Sequence, residues 1–198
     1  MTALNEYLPA MRRMSLDDAR KLMRHGVALR SITTVCPAPT RVALDGNDLY
    51  RPDPLVQSAW VMPVCAVDPR RSDAIETVDP LGIVSLGPVI DLVAFHPAAP
   101  NRWALRLGLA TVLGAIEPQC CSPDPVPVRR DITAWLRGEC RGIVLLTRDA
   151  TEARRVLSQI ETIEAEDRQH VDELAALLAA PLQMRSRVIA RTPPRAAA

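Results

Sequence analysis

Gly142-Ile-Val-Leu-Leu-Thr147, followed by Arg148-Asp-Ala-Thr-Glu152, is the stretch that decides the fold of this chain. Its four central residues form an unbroken run of branched apolar side chains, which is typical of a strand buried on both faces. Asp149 then offers a helix N-cap, and Glu152 places a second acid in the first turn. This order of buried strand, cap and helix predicts a βα unit, with its helix over residues 151–160.

Similar units flank this stretch on both sides. Upstream, residues 126–129 predict a short strand, and Asp131 caps a helix that runs through Leu136. Downstream, residues 162–165 suggest a strand, and residues 167–178 predict a final helix with an apolar stripe at helical spacing. Strands that alternate with helices indicate βα units packed on a sheet.

Residues 102–113, which precede these units, are predicted to form a helix. Asn101 offers an N-cap and Gly114 a stop. Four apolar side chains recur at the spacing of one helical face: Trp103, Leu107, Ala110 and Leu113. Arg102 and Arg106 are four residues apart, so they would share another face of that helix.

The middle of the chain predicts strands. Residues 41–44 and 49–51 flank Asp45-Gly-Asn-Asp48, which is a hairpin signal. Further runs rich in β-forming residues follow between turns marked by proline or glycine, at 58–67, 74–78, 83–86 and 89–95. These runs predict an antiparallel meander of four to six short strands.

The N-terminal region contains a predicted helix over residues 16–25. Ser15 supplies its N-cap, Asp17 and Asp18 place acid in the first turn, and Gly26 ends it. The expected fold class is therefore α+β, with this N-terminal helix, an antiparallel β-meander in the middle, βα units after it, and a flexible basic C-terminal tail.

Three segments are expected along the chain: an N-terminal helical segment (1–30), an α+β domain (31–180) and a basic, partly disordered tail (181–198). No acid follows Glu173, so the tail is purely basic. Its arginines are Arg185, Arg187, Arg191 and Arg195. We expect the last residues of this tail to be disordered.

Composition indicates the compartment. The chain has 198 residues, of which 48% are hydrophobic, and this length suffices for a core without metal or disulfide. No apolar stretch approaches the roughly 20 residues that span a bilayer. Residues 1–10 lack the basic-then-apolar run of a signal peptide. The five cysteines include no C-x-x-C pair and fit free thiols, so we expect a cytoplasmic protein with no membrane contact.

Three residues could carry catalysis: His96, Asp91 and Asp149. His96 ends a predicted strand beside a proline-rich loop, where it could act as a general base or could simply hydrogen-bond the turn. Strand periodicity places Asp91 on the opposite face from His96. Asp149 follows the strongest strand, where an acid can hold Mg²⁺, although the same residue can serve as a helix cap. The chain carries no phosphate-binding loop, dinucleotide fingerprint or nucleophile elbow.

Metal-ligating residues are present but poorly arranged. On a helix, Glu166, Asp167, His170 and Glu173 share one side, and an acid three residues before a His occurs in metal-carrying bundles. Those bundles need a second such pair, which the chain lacks. The adjacent Cys120-Cys121 pair is unsuited to chelating one ion. We therefore expect no metal and no cofactor.

Charge is segregated along the chain although its total is only +1. Residues 149–173 hold eight acids, whereas arginines cluster elsewhere. A basic face of this kind can bind a phosphate backbone, although charged runs also form ordinary solvated surface, and no aromatic stripe accompanies these arginines. The candidate binding residues are Arg102, Arg106, Arg129, Arg130, Arg185, Arg187 and Arg191.

The function expected from these features is that of a non-catalytic intracellular interaction protein. Its partner would be another protein or a nucleic acid, bound through the Arg-rich and acidic surfaces. One alternative is a small hydrolase or transferase centred on His96, which would need a pocket with a carboxylate within hydrogen-bond reach. A second alternative is a structural subunit of a larger assembly, which would expose apolar patches.

Overall fold

Six helices and eleven strands are formed by the residues that the computed structural model describes, which are 4–44, 48–65, 75–79, 82–86, 89–114 and 124–179. The helices are α1 (Leu4–Arg12), α2 (Leu16–Arg24), α3 (Leu29–Val35), α4 (Ile132–Arg137), α5 (Ala150–Leu157) and α6 (Arg168–Ala179). The strands are β1 (Ala38–Leu44), β2 (Tyr50–Pro52), β3 (Ser58–Cys65), β4 (Ile75–Asp79), β5 (Gly82–Leu86), β6 (Val89–His96), β7 (Ala99–Leu105), β8 (Val112–Leu113), β9 (Val126–Arg129), β10 (Ile143–Leu145) and β11 (Ile163–Glu164). The predicted α+β class is confirmed.

The middle of the chain forms a five-stranded antiparallel sheet with the order β2-β1-β3-β6-β7. The predicted hairpin is confirmed, since Leu44 on β1 pairs with Tyr50 on β2. Strands β4 and β5 pair with each other as a separate two-stranded sheet. The meander is thus antiparallel as expected, and one of its hairpins stands apart from the main sheet.

An aromatic row crosses three strands of this sheet. Trp60 pairs in register with Phe95, and Phe95 pairs with Trp103. Phe95 is only 3% exposed and Trp60 only 8%. Cross-strand aromatic pairs stabilise a sheet beyond the area they bury. With three of the chain's six aromatic residues, this row is the centre of the largest core cluster, against which α2, α3 and α4 also pack.

The helix predicted over residues 102–113 is wrong. Residues up to Leu105 belong to strand β7, and Val112 and Leu113 form the short β8. In β7 the side chains alternate, so that Trp103 joins the aromatic cluster while Ala104 packs on the opposite face. Pairing with β6 overrides the apolar spacing that resembled a helix, because cross-strand packing is worth more than local propensity. Arg102 and Arg106 therefore do not share a helix face.

The N-terminal helices pack on both faces of the five-stranded sheet. Tyr7 of α1 is buried against one face, and its hydroxyl donates a 2.7 Å hydrogen bond to the carbonyl oxygen of Cys36. On the other face, Leu22 of α2 lies in the core. The N-cap predicted at Ser15 is confirmed, and Asp18 completes a capping box with it. The segment boundary expected at residue 30 falls inside α3, and the hydroxyl of Ser31 donates to the carbonyl of Leu136.

The βα units build a second sheet with the order β11-β9-β10-β8. Strand β9 is parallel to both β10 and β11, and helices α4 and α5 make the connections. The caps predicted at Asp131 and Asp149 are confirmed, because each carboxylate accepts backbone N–H groups at the start of its helix. Gly142 has a φ of +83°, and a Cβ there would collide with the carbonyl oxygen of Pro127. Only glycine fits this approach between β9 and β10.

Several predictions fall on residues outside the described part of the chain. These are the basic tail at 181–198, with Arg185, Arg187 and Arg191, and the Cys120-Cys121 pair. The described cysteines, Cys36, Cys65 and Cys140, form no disulfide bond with one another. Within the described residues, no helix has both the length and the apolar character needed to cross a membrane.

Candidate functional site

Asp91 is completely buried and fastens a loop. Its two carboxylate oxygens accept five backbone hydrogen bonds of 2.8–3.3 Å. The donors are the N–H groups of Leu92, Arg106, Leu107, Leu109 and Ala110. A buried carboxylate needs such donors to replace its water shell, so this arrangement satisfies the charge and fixes residues 106–110. These residues are called the clamped loop below.

His96 lies on the other face of the same strand, roughly 16 Å further along it. The side chain is exposed, and its Nδ1 accepts a 3.2 Å hydrogen bond from the backbone N–H of Ala98. This is the turn contact that the sequence offered as the alternative to catalysis. Because Nδ1 is the acceptor, neutral His96 carries its proton on Nε2 and presents that N–H as a donor.

His96 borders a depression of about 250 Å³ at the end of the five-stranded sheet, called the His96 pocket below. Its floor is apolar, with Val42, Ala59 and Ala94 among its residues, and Arg102 and Trp103 lie at its rim. No Asp or Glu is among the described residues that line it. The carboxylate partner that a hydrolase based on His96 would need is therefore absent from this described wall.

Asp149 occupies a third, separate place. Its Oδ1 accepts hydrogen bonds from the N–H groups of Thr151 (2.7 Å) and Glu152 (3.2 Å), as a helix cap does. The neighbouring Arg148 pairs with Asp48 at 2.8 Å and lies 5.8 Å from the ring centre of Trp103. The structure thus does not assemble His96, Asp91 and Asp149 into one site.

Arg106 is held close to the sheet. Its Nε donates a 2.8 Å hydrogen bond to the Glu6 carboxylate, and its guanidinium lies 6.0 Å from the ring centre of Tyr50. Burial, followed by the charge of Glu6, raises the pKa of Tyr50. Arg106 therefore ties α1 to the sheet, and its charge is largely compensated by Glu6.

Arg130 bridges the ends of two parallel strands. It follows β9 and forms ion pairs with Asp167, which follows β11, and with Glu173 on α6. The hydrogen bond from Arg130 lowers the pKa of Asp167 to about 2. Its neighbour Arg129 has a buried Nε with no hydrogen-bond partner among the described residues. Four of the candidate binding arginines are described: Arg102, Arg106, Arg129 and Arg130. Among them, Arg102 is the one that is exposed and makes no ion pair within the described structure.

His170 lies beneath this ion-pair network. It is 4% exposed, and its Nδ1 accepts a 3.2 Å hydrogen bond from the backbone N–H of Glu166. Burial first, and then the charge of Arg130, lowers the pKa of His170 below its usual value of 6.5. The folded protein thus favours the neutral form of His170, whose ring supports the start of α6 by accepting the Glu166 N–H.

Acidification should destabilise the fold through His170. The unfolded chain binds this proton more readily than the folded protein, so stability should fall as the pH drops below 6.5. Loss of the Glu166 hydrogen bond costs about 1 kcal/mol, which lowers the Tm by about 2–4 °C. Asp167 contributes its stabilisation above its unfolded pKa of 3.8 and loses it only near 2, outside this window. Thermal unfolding between about pH 7.5 and about pH 5 measures the effect.

The variant His170→Gln should flatten this pH dependence, because glutamine keeps an acceptor but does not titrate. His96→Gln is the matched control, because it makes the same substitution at an exposed histidine. Equal slopes in wild type and His170→Gln would show that His170 is not the group responsible.

A second depression, of about 480 Å³, adjoins the His96 pocket. Ser58 lines both, and Arg13 and Arg41 line the second. The two depressions together are called the basic groove, whose cations are Arg13, Arg41 and Arg102, with His96 beside them. Its one acid among the described lining residues is Asp53, whose Oδ1 accepts the N–H of Leu55 at 2.9 Å.

Sequence reasoning selected Arg102 but missed Arg41 as a binding residue. Arg13 follows α1, whereas Arg41 lies within β1, and the packing of α1 on β1 brings them together. No local pattern marks this approach, because the two residues are separated by 27 others and belong to elements of different type. The basic groove is thus a product of tertiary packing.

Known proteins give no guide to this groove. Among the described residues, no cluster of three or more His, Cys, Asp or Glu side chains could hold a metal ion. The groove and the His96 pocket are therefore the concave features from which a function can be argued. No protein-family model, no curated protein and no solved structure matches this chain.

Proposed function

We propose that this chain is a non-catalytic, cytoplasmic interaction protein that binds a polyanionic macromolecule in the basic groove. The observation that carries the proposal is the local charge of the groove. Arg13, Arg41 and Arg102 face a single described acid, Asp53, although the whole chain has a net charge of only +1. A concave surface with an excess of one charge attracts ligands of the opposite charge.

Exposed acids lie on another part of the fold, which supports the proposal. Four of them cluster around β11 and α6, at Glu161, Glu164, Glu166 and Asp172. Within the described structure, Arg13, Arg41 and Arg102 form no ion pair with these acids. None of these four acids is among the described residues that line the groove, where Asp53 is the one acid.

Binding explains the candidate residues better than catalysis does. Asp91 is saturated by backbone donors, Asp149 caps a helix, and His96 accepts a turn N–H. Each of these contacts serves an ordinary structural purpose. Neither Asp91 nor Asp149 is therefore placed as a carboxylate partner for His96. The alternative of a hydrolase or transferase centred on His96 is correspondingly weakened.

A second candidate function is that of a structural subunit in a larger assembly. The clamped loop favours it, because Leu107 and Leu109 on this loop are 47% and 64% exposed. Four hydrogen bonds from this loop to Asp91 hold these two leucines in fixed positions, which lowers the entropic cost of docking another protein. This function would be favoured if the protein binds no polyanion but elutes from size-exclusion chromatography as a species larger than a single chain.

Removing the groove arginines should weaken polyanion binding. Fluorescence anisotropy with labelled single-stranded DNA, double-stranded DNA and polyglutamate, at about 50 and 200 mM salt, measures it. The double variant Arg13→Gln/Arg41→Gln should lose about tenfold or more in affinity. If the ligand is nucleic acid, the slope of log affinity against log salt concentration should become shallower by about one unit for each arginine removed.

The matched control is Arg51→Gln/Arg168→Gln, which removes the same charge from exposed arginines outside the groove. A chain ending at Ala180 tests the tail residues Arg185, Arg187 and Arg191. Preference for DNA over polyglutamate would indicate nucleic acid, and the reverse would indicate an acidic protein. Equal losses in the groove variant and its control would refute the groove as the binding surface.

A further inference from the structure

We propose that the His96 pocket binds a small carboxylate that carries an apolar body. This inference goes beyond polyanion binding and does not depend on it, because it concerns one end of the groove and a ligand with a single charge. The pocket exists because Ala59 and Ala94 place small side chains on the sheet face that α1 covers elsewhere with Tyr7.

The floor of the pocket suits an apolar group. Val42, Ala59 and Ala94 are at most 8% exposed and lie on adjacent strands β1, β3 and β6. At about 250 Å³ the pocket is smaller than the roughly 300–1,000 Å³ of sites for drug-sized ligands. The apolar body of its ligand must therefore be a short aliphatic chain or a single ring.

The rim of the pocket suits one anionic group. Arg102 is exposed, forms no ion pair among the described residues, and carries a planar fork of donors that matches a carboxylate. His96 adds an Nε2–H donor, because its Nδ1 is engaged by Ala98. Gln57 and Ser58 add neutral donors, and no acid opposes them among the described lining residues.

A carboxylate fits this rim better than a phosphate does. Protein sites for phosphate gather several backbone N–H groups at glycine-rich loops or helix N-termini. None of the described residues that line the His96 pocket is a glycine, and none of them begins a helix. A monoanion with two oxygens matches one guanidinium fork and one imidazole N–H. Such a group is found on free small acids and at the C-terminus of a peptide.

Titration of ¹⁵N-labelled protein by NMR tests the site, with benzoate and its neutral analogue benzamide as probes. Benzoate should shift the signals of Ala59, Ala94 and His96 saturably, with a Kd of roughly 1 mM for so small a ligand. Benzamide should bind at least tenfold more weakly, because it lacks the charge. N-acetyl-leucine and its amide form the second pair of probes. If N-acetyl-leucine binds with higher affinity than benzoate, the natural source of the carboxylate is a peptide C-terminus.

Arg102→Gln should weaken benzoate binding at least tenfold, and Arg102→Lys should restore part of it through charge without the fork. Arg51→Gln, on the neighbouring β2, should change nothing. Dispersed spectra of each variant verify folding. Equal binding of benzoate and benzamide, or undiminished binding by folded Arg102→Gln, would overturn the proposal. Arg13→Gln/Arg41→Gln should bind benzoate normally, so failure of the groove and failure of the pocket are distinguishable.

Discussion

Asp91→Ala should lower the free energy of unfolding by about 3–5 kcal/mol, because it removes the acceptor of five backbone N–H groups at once. A buried donor without a partner costs about 1–3 kcal/mol, and part of the clamped loop will open to water instead. Urea denaturation measures the loss as a lower midpoint. Hydrogen exchange should also show lost protection at Leu107, Leu109 and Ala110.

Asp91→Asn should be nearly as destabilising, since its amide NH₂ would face backbone donors where a carboxylate oxygen now accepts them. Asp53→Asn is the control. Asp53 accepts one bond in an exposed turn, and asparagine can accept the same bond, so the change should cost less than about 0.5 kcal/mol. A loss below about 1 kcal/mol in Asp91→Ala would mean that water satisfies the loop and that Asp91 does not fasten it.

Phe95→Ala should cost about 3–5 kcal/mol, as truncation of a buried ring generally does. Phe95 is 3% exposed and is the middle member of the aromatic row, so its removal breaks the contacts with both Trp60 and Trp103. Each such aromatic pair is worth about 0.5–1.5 kcal/mol beyond the area it buries. Chemical denaturation measures the stability, and the near-ultraviolet circular dichroism of the tryptophans should change with it.

Phe95→Leu should cost only about 1–2 kcal/mol, because it keeps most of the buried volume and loses the ring pairs. Val171→Ala serves as the control. Val171 is 48% exposed on α6, so its truncation should change stability by no more than about 0.5 kcal/mol. If Phe95→Leu were as damaging as Phe95→Ala, the aromatic pairing itself rather than the filled volume would carry the effect.

Local signals in the sequence were sufficient for most of the helices and strands. Ser15, Asp131 and Asp149 each cap the helix that the sequence assigns to them, because a cap acts on N–H groups only two or three residues away. The run at 142–147 likewise forms the central strand β10. Such features depend on neighbouring residues, which the sequence displays directly.

Features that depend on distant residues could not be predicted. Leu107 and Trp103 have helical spacing, yet Trp103 lies on strand β7 and pairs with Phe95 on the neighbouring strand β6. No local pattern in the sequence marks this pairing. Asp91 is a catalytic candidate in the sequence, but its carboxylate binds a loop 15 to 19 residues downstream. Arg13 and Arg41 form one wall only after α1 has packed. In each case the deciding partner lies far away in sequence and close in space.

The contact between Ser31 and Leu136 joins residues 105 positions apart, and Leu22 shares its core cluster with Trp135 and Leu136. A ribosome adds about 5–20 residues per second, so the first helices leave it roughly 5–20 s before their partners are made. Until Trp135 and Leu136 are made, the core cluster around Leu22 stays incomplete, even after the five-stranded sheet has been synthesised. The growing chain therefore exposes part of this core for several seconds, a period in which shielding of apolar surface by a chaperone favours recovery of the folded protein.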